Sequence, residues 1–297
     1  MTGAQGLARA LEHVPGCEGG TPARAVRVLT GGSINQSIRV DTASGSFVVR
    51  LAGVEAERLG VDRRREALLH GIAAAAGLAP RIVFAAPDAS FLVTQWIDGR
   101  VWAPADLGDA AQLRKIAACL GELHALTAPR ALPGDASAQR AGLDLLGEVR
   151  GYAAQIIAGS PREAPALAQL LARAQDASDR AGSVPRAPAI VHNDLHHANL
   201  VHADRVYLLD WEYANIGDPL LDLASLLSYN PQAQPHAALL LQDSGLAELA
   251  SLQSLRELTW LFVLDNYLWY RARRLHAEPS GAERAAEDAA RSRLASP

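Results

Sequence analysis

The sequence is nearly without lysine, although arginine is plentiful. Lys115 is the only lysine, while lysine and arginine together number 28 in 297 residues. Lysine is one of the residues that commonly bind phosphate groups in proteins. Any phosphate-binding site in this chain is therefore expected to use arginine, which contacts phosphate bidentately and stays charged.

Cysteine is also scarce, and neither charge nor hydropathy is extreme. Cys17 and Cys119 lie far apart without metal-ligand spacing, which argues against a disulfide scaffold and a structural zinc site. A net charge of −4 gives no electrostatic basis for binding nucleic acid or an anionic membrane. Residues 1–20 lack a signal pattern, and no apolar run reaches membrane-spanning length. We therefore expect a cytoplasmic globular protein that binds neither nucleic acid nor membranes.

Three polar residues stand between short apolar runs in the second half of the chain. Asp194 follows the run 189–191, Asn199 comes five positions later, and Asp210 follows the run 206–209. Phosphoryl transfer to a hydroxyl needs a carboxylate for the nucleophile and oxygen ligands that hold Mg²⁺ on the nucleotide phosphates. The spacing is that of a kinase catalytic loop and its metal-binding aspartate. It predicts Asp194 as the base and Asn199 and Asp210 as metal ligands.

A plainer interpretation of these residues is also available. Aspartate and asparagine are common turn formers, so 192–194 alone would fit a loop between two strands. The ordered set favours the catalytic interpretation, because a base and two metal ligands must otherwise arise together by chance.

A glycine-bearing turn precedes this stretch, between two predicted strands near the N-terminus. Gly31, Gly32 and Ser33, with Asn35, are able to cover nucleotide phosphates with backbone N–H groups. Two glycines are also common in a plain hairpin. Their position ahead of the catalytic stretch favours the phosphate-binding interpretation.

Arg50 and Glu66 are predicted to position the nucleotide phosphates. Arg50 lies on the third predicted strand, where a protein-kinase-like fold carries a lysine, and Glu66 lies early in the helix predicted over 62–76. Alternatively, Arg50 faces solvent at a sheet edge, and Glu66 lies on a solvated face beside the arginine run 63–65.

The order of the predicted elements indicates an α+β fold with two lobes. Five strands and one helix end near residue 98, and Gln95 and Ile97 would lie in the hinge that faces adenine. Residues 1–98 are predicted as a small, mainly antiparallel nucleotide-binding lobe. Residues 99–297 are predicted as a larger, mainly helical lobe that binds the acceptor.

The last long helix, predicted over 251–276, carries most of the remaining aromatic residues. Trp260 and Trp269 flank Asp265, and aromatic faces with a carboxylate are able to hold a cation. An amphipathic core helix is the alternative interpretation. Before it, Asp218 and Asp222 are predicted to support the catalytic loop rather than to contact a substrate.

These motifs resemble a known group of enzymes. Gly-Gly-Ser-x-Asn at 31–35, His-x-Asp-x4-Asn at 192–199 and Asp-Trp-Glu-Tyr-Ala at 210–214 look like the bacterial choline/ethanolamine kinase and thiamine kinase group. That group belongs to the aminoglycoside-phosphotransferase-like superfamily, whose members have a protein-kinase-like fold. The resemblance covers most of the chain and is weakest over 129–188.

The resemblance implies transfer of a phosphoryl group from ATP, with Mg²⁺, to the hydroxyl of a small metabolite. A choline, ethanolamine or thiamine type of acceptor is cationic, and Glu212, Asp265, Trp260 and Trp269 are the residues expected to bind it. The spacing of the two tryptophans differs from the pair that holds the quaternary ammonium in choline kinases. An aminoglycoside, aminosugar or homoserine kinase, and a nucleotide-binding pseudokinase, are the alternatives.

Overall fold

The computed structural model describes residues 3–29, 35–53, 61–129, 144–182, 186–276 and 278–295. The chain divides into two compact units. Unit 1 comprises the described residues of Met1–Trp102, Leu126–Arg140 and Ala198–Asn215. Unit 2 comprises those of Ala103–Ala125, Ala141–His197 and Ile216–Pro297.

Unit 1 is built on a five-stranded antiparallel sheet, as the sequence predicts. The strands are β1 (Ala25–Val28), β2 (Gln36–Thr42), β3 (Gly45–Leu51), β4 (Ile82–Ala85) and β5 (Phe91–Gln95), in the order β1-β2-β3-β5-β4. Alternate residues of β2 and β3 are buried, because side chains on a strand point to opposite faces in turn. Helix α1 (Gly3–Leu11) packs on this buried face.

Helix α2 (Arg63–Ala75) also belongs to unit 1, and its beginning is fixed by capping. The Asp62 side chain accepts hydrogen bonds from the backbone N–H groups of Arg64 and Arg65. Such a cap satisfies N–H groups that have no partner inside the helix. The predicted helix over 62–76 is thus confirmed, and its capped start places Arg63 and Glu66 in the first turn.

A second, three-stranded sheet completes the regular structure of unit 1. It has the order β6-β8-β9, with β6 (Arg100–Val101), β8 (Leu200–His202) and β9 (Val206–Leu208). A Cβ atom at Gly99 would lie 2.8 Å from the carbonyl oxygen of His202, so this close approach requires glycine. The catalytic stretch predicted from sequence therefore contributes a hairpin to the unit that holds the N-terminal sheet.

Unit 2 is mainly helical. Its helices are α3 (Ala110–His124), α4 (Leu145–Gly159), α5 (Ala164–Ala181), α6 (Leu220–Tyr229), α7 (Ala237–Asp243), α8 (Leu252–Arg273) and α9 (Gly281–Leu294), with the short strands β7 (Ala189–Val191) and β10 (Asn215–Gly217). Helix α8 packs against α4, α5, α6 and α9, and so forms the centre of this unit. The helix predicted over 251–276 is confirmed.

Two helices of unit 2 have weak signals in the sequence. Helix α7 has only seven residues, which is too few for a clear apolar period. Helix α9 buries only Glu287 and Ala290, so it lacks the apolar stripe that identifies an amphipathic helix. In the described part of the chain, no helix is long and apolar enough to cross a membrane.

Candidate active site

The β8–β9 hairpin in unit 1 brings the two predicted metal ligands together. Leu200 pairs with Leu208 across the hairpin, and the backbone N–H of Leu209 donates to the carbonyl oxygen of Asn199 at 2.8 Å. Asn199 precedes β8 and Asp210 follows β9, so both lie at the same end of the hairpin. Residues well separated in sequence thus become close neighbours.

The backbone of Asp210 adopts a left-handed conformation with φ of 59°. Such a conformation is unfavourable for most residues with a side chain, although aspartate tolerates it better than many. The next residue fixes this turn, because Trp211 is fully buried and its indole N–H donates to the carbonyl oxygen of Leu208 at 2.9 Å. The Trp211 ring also stacks on His70 of α2. The position of the Asp210 side chain is therefore set by a backbone turn that the buried Trp211 holds in place.

Arg50 links this turn to helix α2. Its Nη1 donates to Oδ1 of Asp210 at 2.5 Å, and its Nη2 donates to Glu66. The predicted pairing of Arg50 with Glu66 is therefore present. Glu66 is 2% exposed and Arg50 is 14% exposed on their side chains, so this is a buried ion pair rather than a solvated face. A guanidinium group suits two carboxylates because it presents several donors in a fixed plane.

Arg63 extends the chain of charges, and sequence reasoning did not single it out. Its Nη1 donates to Glu66 at 2.8 Å and to Glu212 at 3.3 Å, and its Nη2 donates to the side-chain oxygen of Asn35 at 2.5 Å. The Asn35 amide in turn donates to Glu212 at 2.8 Å. The three-residue spacing of Arg63 and Glu66 on a helix is a signal that would have found this pair.

We call the five charged groups and Asn35 the arginine network: Asn35, Arg50, Arg63, Glu66, Asp210 and Glu212. It holds two guanidinium groups against three carboxylates. Burial, and next the charge of Asp210, raises the pKa of Glu212, while Asn35, Arg50 and Arg63 oppose that rise. Burial and the charge of Arg50 lower the pKa of Arg63. With all five charged groups ionised, the network would carry one negative charge more than its cations balance.

Glu212 takes part in the arginine network. Its carboxylate accepts hydrogen bonds from Asn35 and Arg63 within unit 1, and its predicted contact with a cationic acceptor stays a prediction. Its contacts favour a role in orienting the segment after Asp210. Asn35, predicted to contact nucleotide, bridges Arg63 and Glu212 by its side chain.

Asn199 and Asp210 offer an amide and a carboxylate oxygen, which are the ligand types that Mg²⁺ prefers. Among the described residues no group of three or more His, Cys, Asp and Glu side chains could hold a metal ion. Mg²⁺ is usually held by one or two protein oxygen ligands together with water and substrate phosphates, so a carboxylate beside an amide is sufficient. Asp210 is 35% exposed on its side chain, which leaves it accessible to such an ion.

The loop that carries Asp194 lies in unit 2 and is fixed by helix α6. Asp222 of α6 is fully buried and accepts hydrogen bonds from the backbone N–H groups of His192 at 2.9 Å and Asn193 at 2.8 Å. His124 of α3 contacts the other oxygen of Asp222 at 2.9 Å. The supporting role predicted for Asp222 agrees with these contacts.

Helix α6 also fixes the residue after Asp194. The backbone N–H of Leu195 donates to the Ser225 hydroxyl at 3.1 Å, and its carbonyl oxygen accepts from Asn230 at 3.0 Å. Asn193 has φ of 65°, which turns the chain sharply just before Asp194. With both neighbours held, the direction of the Asp194 side chain is set by the loop.

Two side chains of unit 2 lie near the Asp194 carboxylate. His196 approaches it with its Nε2 at 3.7 Å from Oδ2. Tyr270, on α8, lies close enough that burial first, then Glu283 and Asp194, raise its pKa. The loop that carries Asp194 therefore lies near the part of α8 that bears Tyr270, next to the predicted acceptor residue Trp269.

Asp265 and Trp269 lie one turn apart on the same face of α8, because residues four positions apart in a helix are neighbours. Trp260 lies nine positions before Trp269, about 13 Å along the axis and on the opposite face. The guanidinium of Arg173 covers the Trp260 ring at 4.5 Å. The structure therefore separates Trp260 from the other two predicted acceptor residues.

Five further residues are predicted to bind the nucleotide, namely Gly31, Gly32, Ser33, Gln95 and Ile97. Gly31, Gly32 and Ser33 lie outside the described residues. Gln95 ends β5 with an exposed side chain, and Ile97 is half-buried in the loop that follows. Their contact with adenine stays a prediction.

The fold is similar to that of several solved kinases. A choline/ethanolamine kinase family protein from Mesorhizobium loti has a TM-score of 0.74 at 21% identity, over 98% of this chain and 93% of the other. The choline kinase LicA from Streptococcus pneumoniae has a TM-score of 0.75 at 20% identity, over 97% and 99%. Spectinomycin phosphotransferase APH(9)-Ia, solved with ADP and spectinomycin, has a TM-score of 0.65 at 14% identity, over 99% and 94%. A comparison with curated protein sequences gave no significant match.

The antiparallel N-terminal sheet and the helical C-terminal region define a two-lobed protein-kinase-like fold. The model of the phosphotransferase enzyme family matches residues 25–258. The chain belongs to this family and is a small-molecule phosphotransferase. The predicted fold class and superfamily are thus confirmed.

Replacing Arg63 should destabilise the protein strongly. Arg63→Met removes a half-buried guanidinium and leaves Glu66 and Glu212 with one partner fewer, so we expect a loss of about 3 kcal/mol in the free energy of unfolding. Arg64→Met is the matched control, because Arg64 is exposed and should change the value by less than about 0.5 kcal/mol. Urea titration of both variants measures the difference. Equal stability of the two variants would contradict the arginine network.

The raised pKa of Glu212 predicts a pH-dependent effect of Glu212→Gln. A carboxyl group whose pKa is higher in the folded state contributes stability that is present below its ordinary pKa and lost as pH rises through the raised pKa. The ordinary value is 4.5. The glutamine variant should therefore gain stability relative to wild type as pH rises above about 4.5. Urea titrations across this range test the trend, with Glu248→Gln as a control for loss of an exposed charge. A constant difference would show that Glu212 does not titrate in this way.

Proposed function

We propose that this protein transfers the γ-phosphoryl group of ATP, with Mg²⁺, to a hydroxyl group of a small cationic metabolite. The observation that carries the proposal is the linkage of Asp210 through Arg50 to Glu66, with Asn199 beside Asp210. This is the arrangement that phosphoryl transfer requires of a kinase-like fold, except that an arginine takes the place of the strand lysine.

In the proposed reaction, Asp194 orients the acceptor hydroxyl and accepts its proton. The hydroxyl oxygen forms a bond to the γ-phosphorus as the bond from that phosphorus to ADP breaks. A bound Mg²⁺ would supply positive charge against the phosphates, with Asn199 and Asp210 as its protein ligands. Positioning and electrostatics supply most of the rate in such reactions.

Arg50 has two tasks in this proposal. It contacts phosphate in the position that lysine has in protein kinases, and it holds the Asp210 carboxylate at 2.5 Å. A guanidinium group presents several donors in a fixed plane, so it is able to contact a phosphate and a carboxylate together. Glu66, held by both Arg50 and Arg63, fixes the direction of the Arg50 side chain.

A cationic acceptor of the choline, ethanolamine or thiamine type is favoured by the surroundings of α8. Asp265 is a carboxylate without a hydrogen-bond partner on one oxygen among the described residues, and Trp269 lies on the same helix face. A positively charged acceptor would neutralise the negative charge of the Asp265 carboxylate. Solved aminoglycoside phosphotransferases share this fold, so a larger amino-sugar acceptor is the second candidate.

Substitution of the proposed base should abolish most of the activity. Asp194→Asn keeps the shape of the side chain but cannot accept the proton, so kcat should fall by about 10²- to 10⁴-fold. Asp243→Asn is the matched control, because it removes one aspartate charge of unit 2 beside an exposed Arg114. Thermal unfolding of both variants checks that the fold is intact. A kcat for Asp194→Asn within a few-fold of wild type would sink the assignment.

A panel of acceptors tests the substrate class. ADP formation is measured with Mg·ATP and, in turn, ethanolamine, choline, thiamine, homoserine, spectinomycin and glucosamine. We expect the highest kcat/KM with a small cationic alcohol, because Asp265 lacks a cation in the described structure. Turnover of spectinomycin or glucosamine alone would favour the amino-sugar alternative. Binding of Mg·ATP with no product from any acceptor would indicate a non-catalytic nucleotide-binding protein.

A further inference from the structure

Asp265 is an unusual carboxylate in the middle of α8. Its Oδ1 atom is inaccessible to solvent and has no hydrogen-bond partner among the described residues, although the residue as a whole is only half-buried. A buried charged oxygen without a partner is costly, because it loses its hydration and gains nothing in return. Such a group in a native structure calls for a ligand or a proton.

The charged group that acts on Asp265 is negative rather than positive. Burial, and next the charge of Glu148 on α4, raises the pKa of Asp265 well above its ordinary value. Tyr152, also on α4, has its pKa raised by burial, then by Asp265 and Glu148. No described arginine, lysine or histidine forms an ion pair with Asp265. The site is therefore suited to a positively charged donor.

Asp265 lies on α8 close to Tyr270, the residue of this helix that lies near Asp194. Trp269 is one turn further along the same face, and its ring meets the edge of Tyr270 at 4.9 Å between centroids. Tyr270 senses the charge of Asp194. A small acceptor whose hydroxyl reached Asp194 would have its cationic end near this part of α8.

Both tryptophan rings of α8 already have an arginine guanidinium group stacked over one face. The Arg273 guanidinium lies over Trp269 at 5.2 Å, and that of Arg173 lies over Trp260 at 4.5 Å. A quaternary ammonium group has no N–H to donate, so proteins recognise it mainly by the open faces of several aromatic rings. Neither tryptophan offers an uncovered pair of faces here, whereas Asp265 offers an unused acceptor oxygen.

We propose that Asp265 determines acceptor specificity by accepting a hydrogen bond from an N–H of the acceptor's ammonium group. The enzyme would then prefer amino alcohols that keep at least one N–H over their quaternary counterparts. This inference rests on the proposed function, because it concerns the acceptor of the same reaction.

The methylation series of ethanolamine tests this inference on the full-length protein. Ethanolamine, N-methylethanolamine and N,N-dimethylethanolamine retain an N–H when charged, and choline does not. We expect kcat/KM to change little over the first three and to fall by about 10-fold or more from the dimethyl compound to choline. A buried acceptor left unpaired by the last methyl group is the cause of that fall.

Asp265→Asn identifies the residue responsible. The variant should lower kcat/KM for the three N–H compounds by about 10-fold or more, since a neutral amide accepts more weakly from an ammonium than a carboxylate does. It should lower the value for choline by less, because choline loses only charge attraction and no hydrogen bond, so the step between dimethylethanolamine and choline should shrink. A merely structural role would lower all four values together. Asp243→Asn serves again as the control, and thermal unfolding confirms that the variant folds.

The outcomes separate the two proposals. If choline is used as well as dimethylethanolamine, the N–H preference is wrong while the proposed kinase activity stands. If the step survives in Asp265→Asn, another residue makes the discrimination. If none of the four compounds is phosphorylated by wild-type protein, both the proposed cationic acceptor and this inference are overturned.

Discussion

The buried arrangement of Arg50 and Arg63 between three carboxylates is the constraint on which the rest of unit 1 depends. Each guanidinium group bridges two acidic residues that come from different parts of the chain. Removing charges from water costs several kcal/mol per ion, and only mutual pairing recovers it. The strand, the helix and the turn after β9 must therefore keep their positions, because a shift in any one leaves a charge without its partner.

Unit 2 also contains a buried carboxylate, Asp222, and stabilises it mainly with backbone N–H groups. Asp222 receives two backbone N–H groups and a histidine, so its charge is spread over three donors. The loop that carries Asp194 is thereby attached to α6, and the left-handed backbone at Asn193 is stabilised by contacts on both sides. Strain in such a backbone conformation persists only where the surroundings determine it.

Sequence reasoning found what depends on order and spacing. Arg50 and Glu66 lie on a predicted strand and a predicted helix whose sequence order is that of a kinase-like fold, so their pairing was foreseeable. It did not single out Arg63, although the three-residue spacing to Glu66 distinguishes that arginine from its two neighbours on the helix. The contact of Glu212 was not foreseeable from local spacing, since its partner Arg63 lies 149 residues away. Trp260 received a partner that no local pattern indicates, because Arg173 comes from a different helix.

The choice of arginine at position 50 has a chemical consequence. Kinases that carry a lysine on this strand present a nucleophilic amine, and reagents that acylate or sulfonylate amines can attach to it. A guanidinium group is a poor nucleophile because it stays protonated. The only lysine of this chain, Lys115, is exposed on α3 in unit 2. Lysine-directed covalent probes would therefore label a surface helix here and leave Arg50 unmodified.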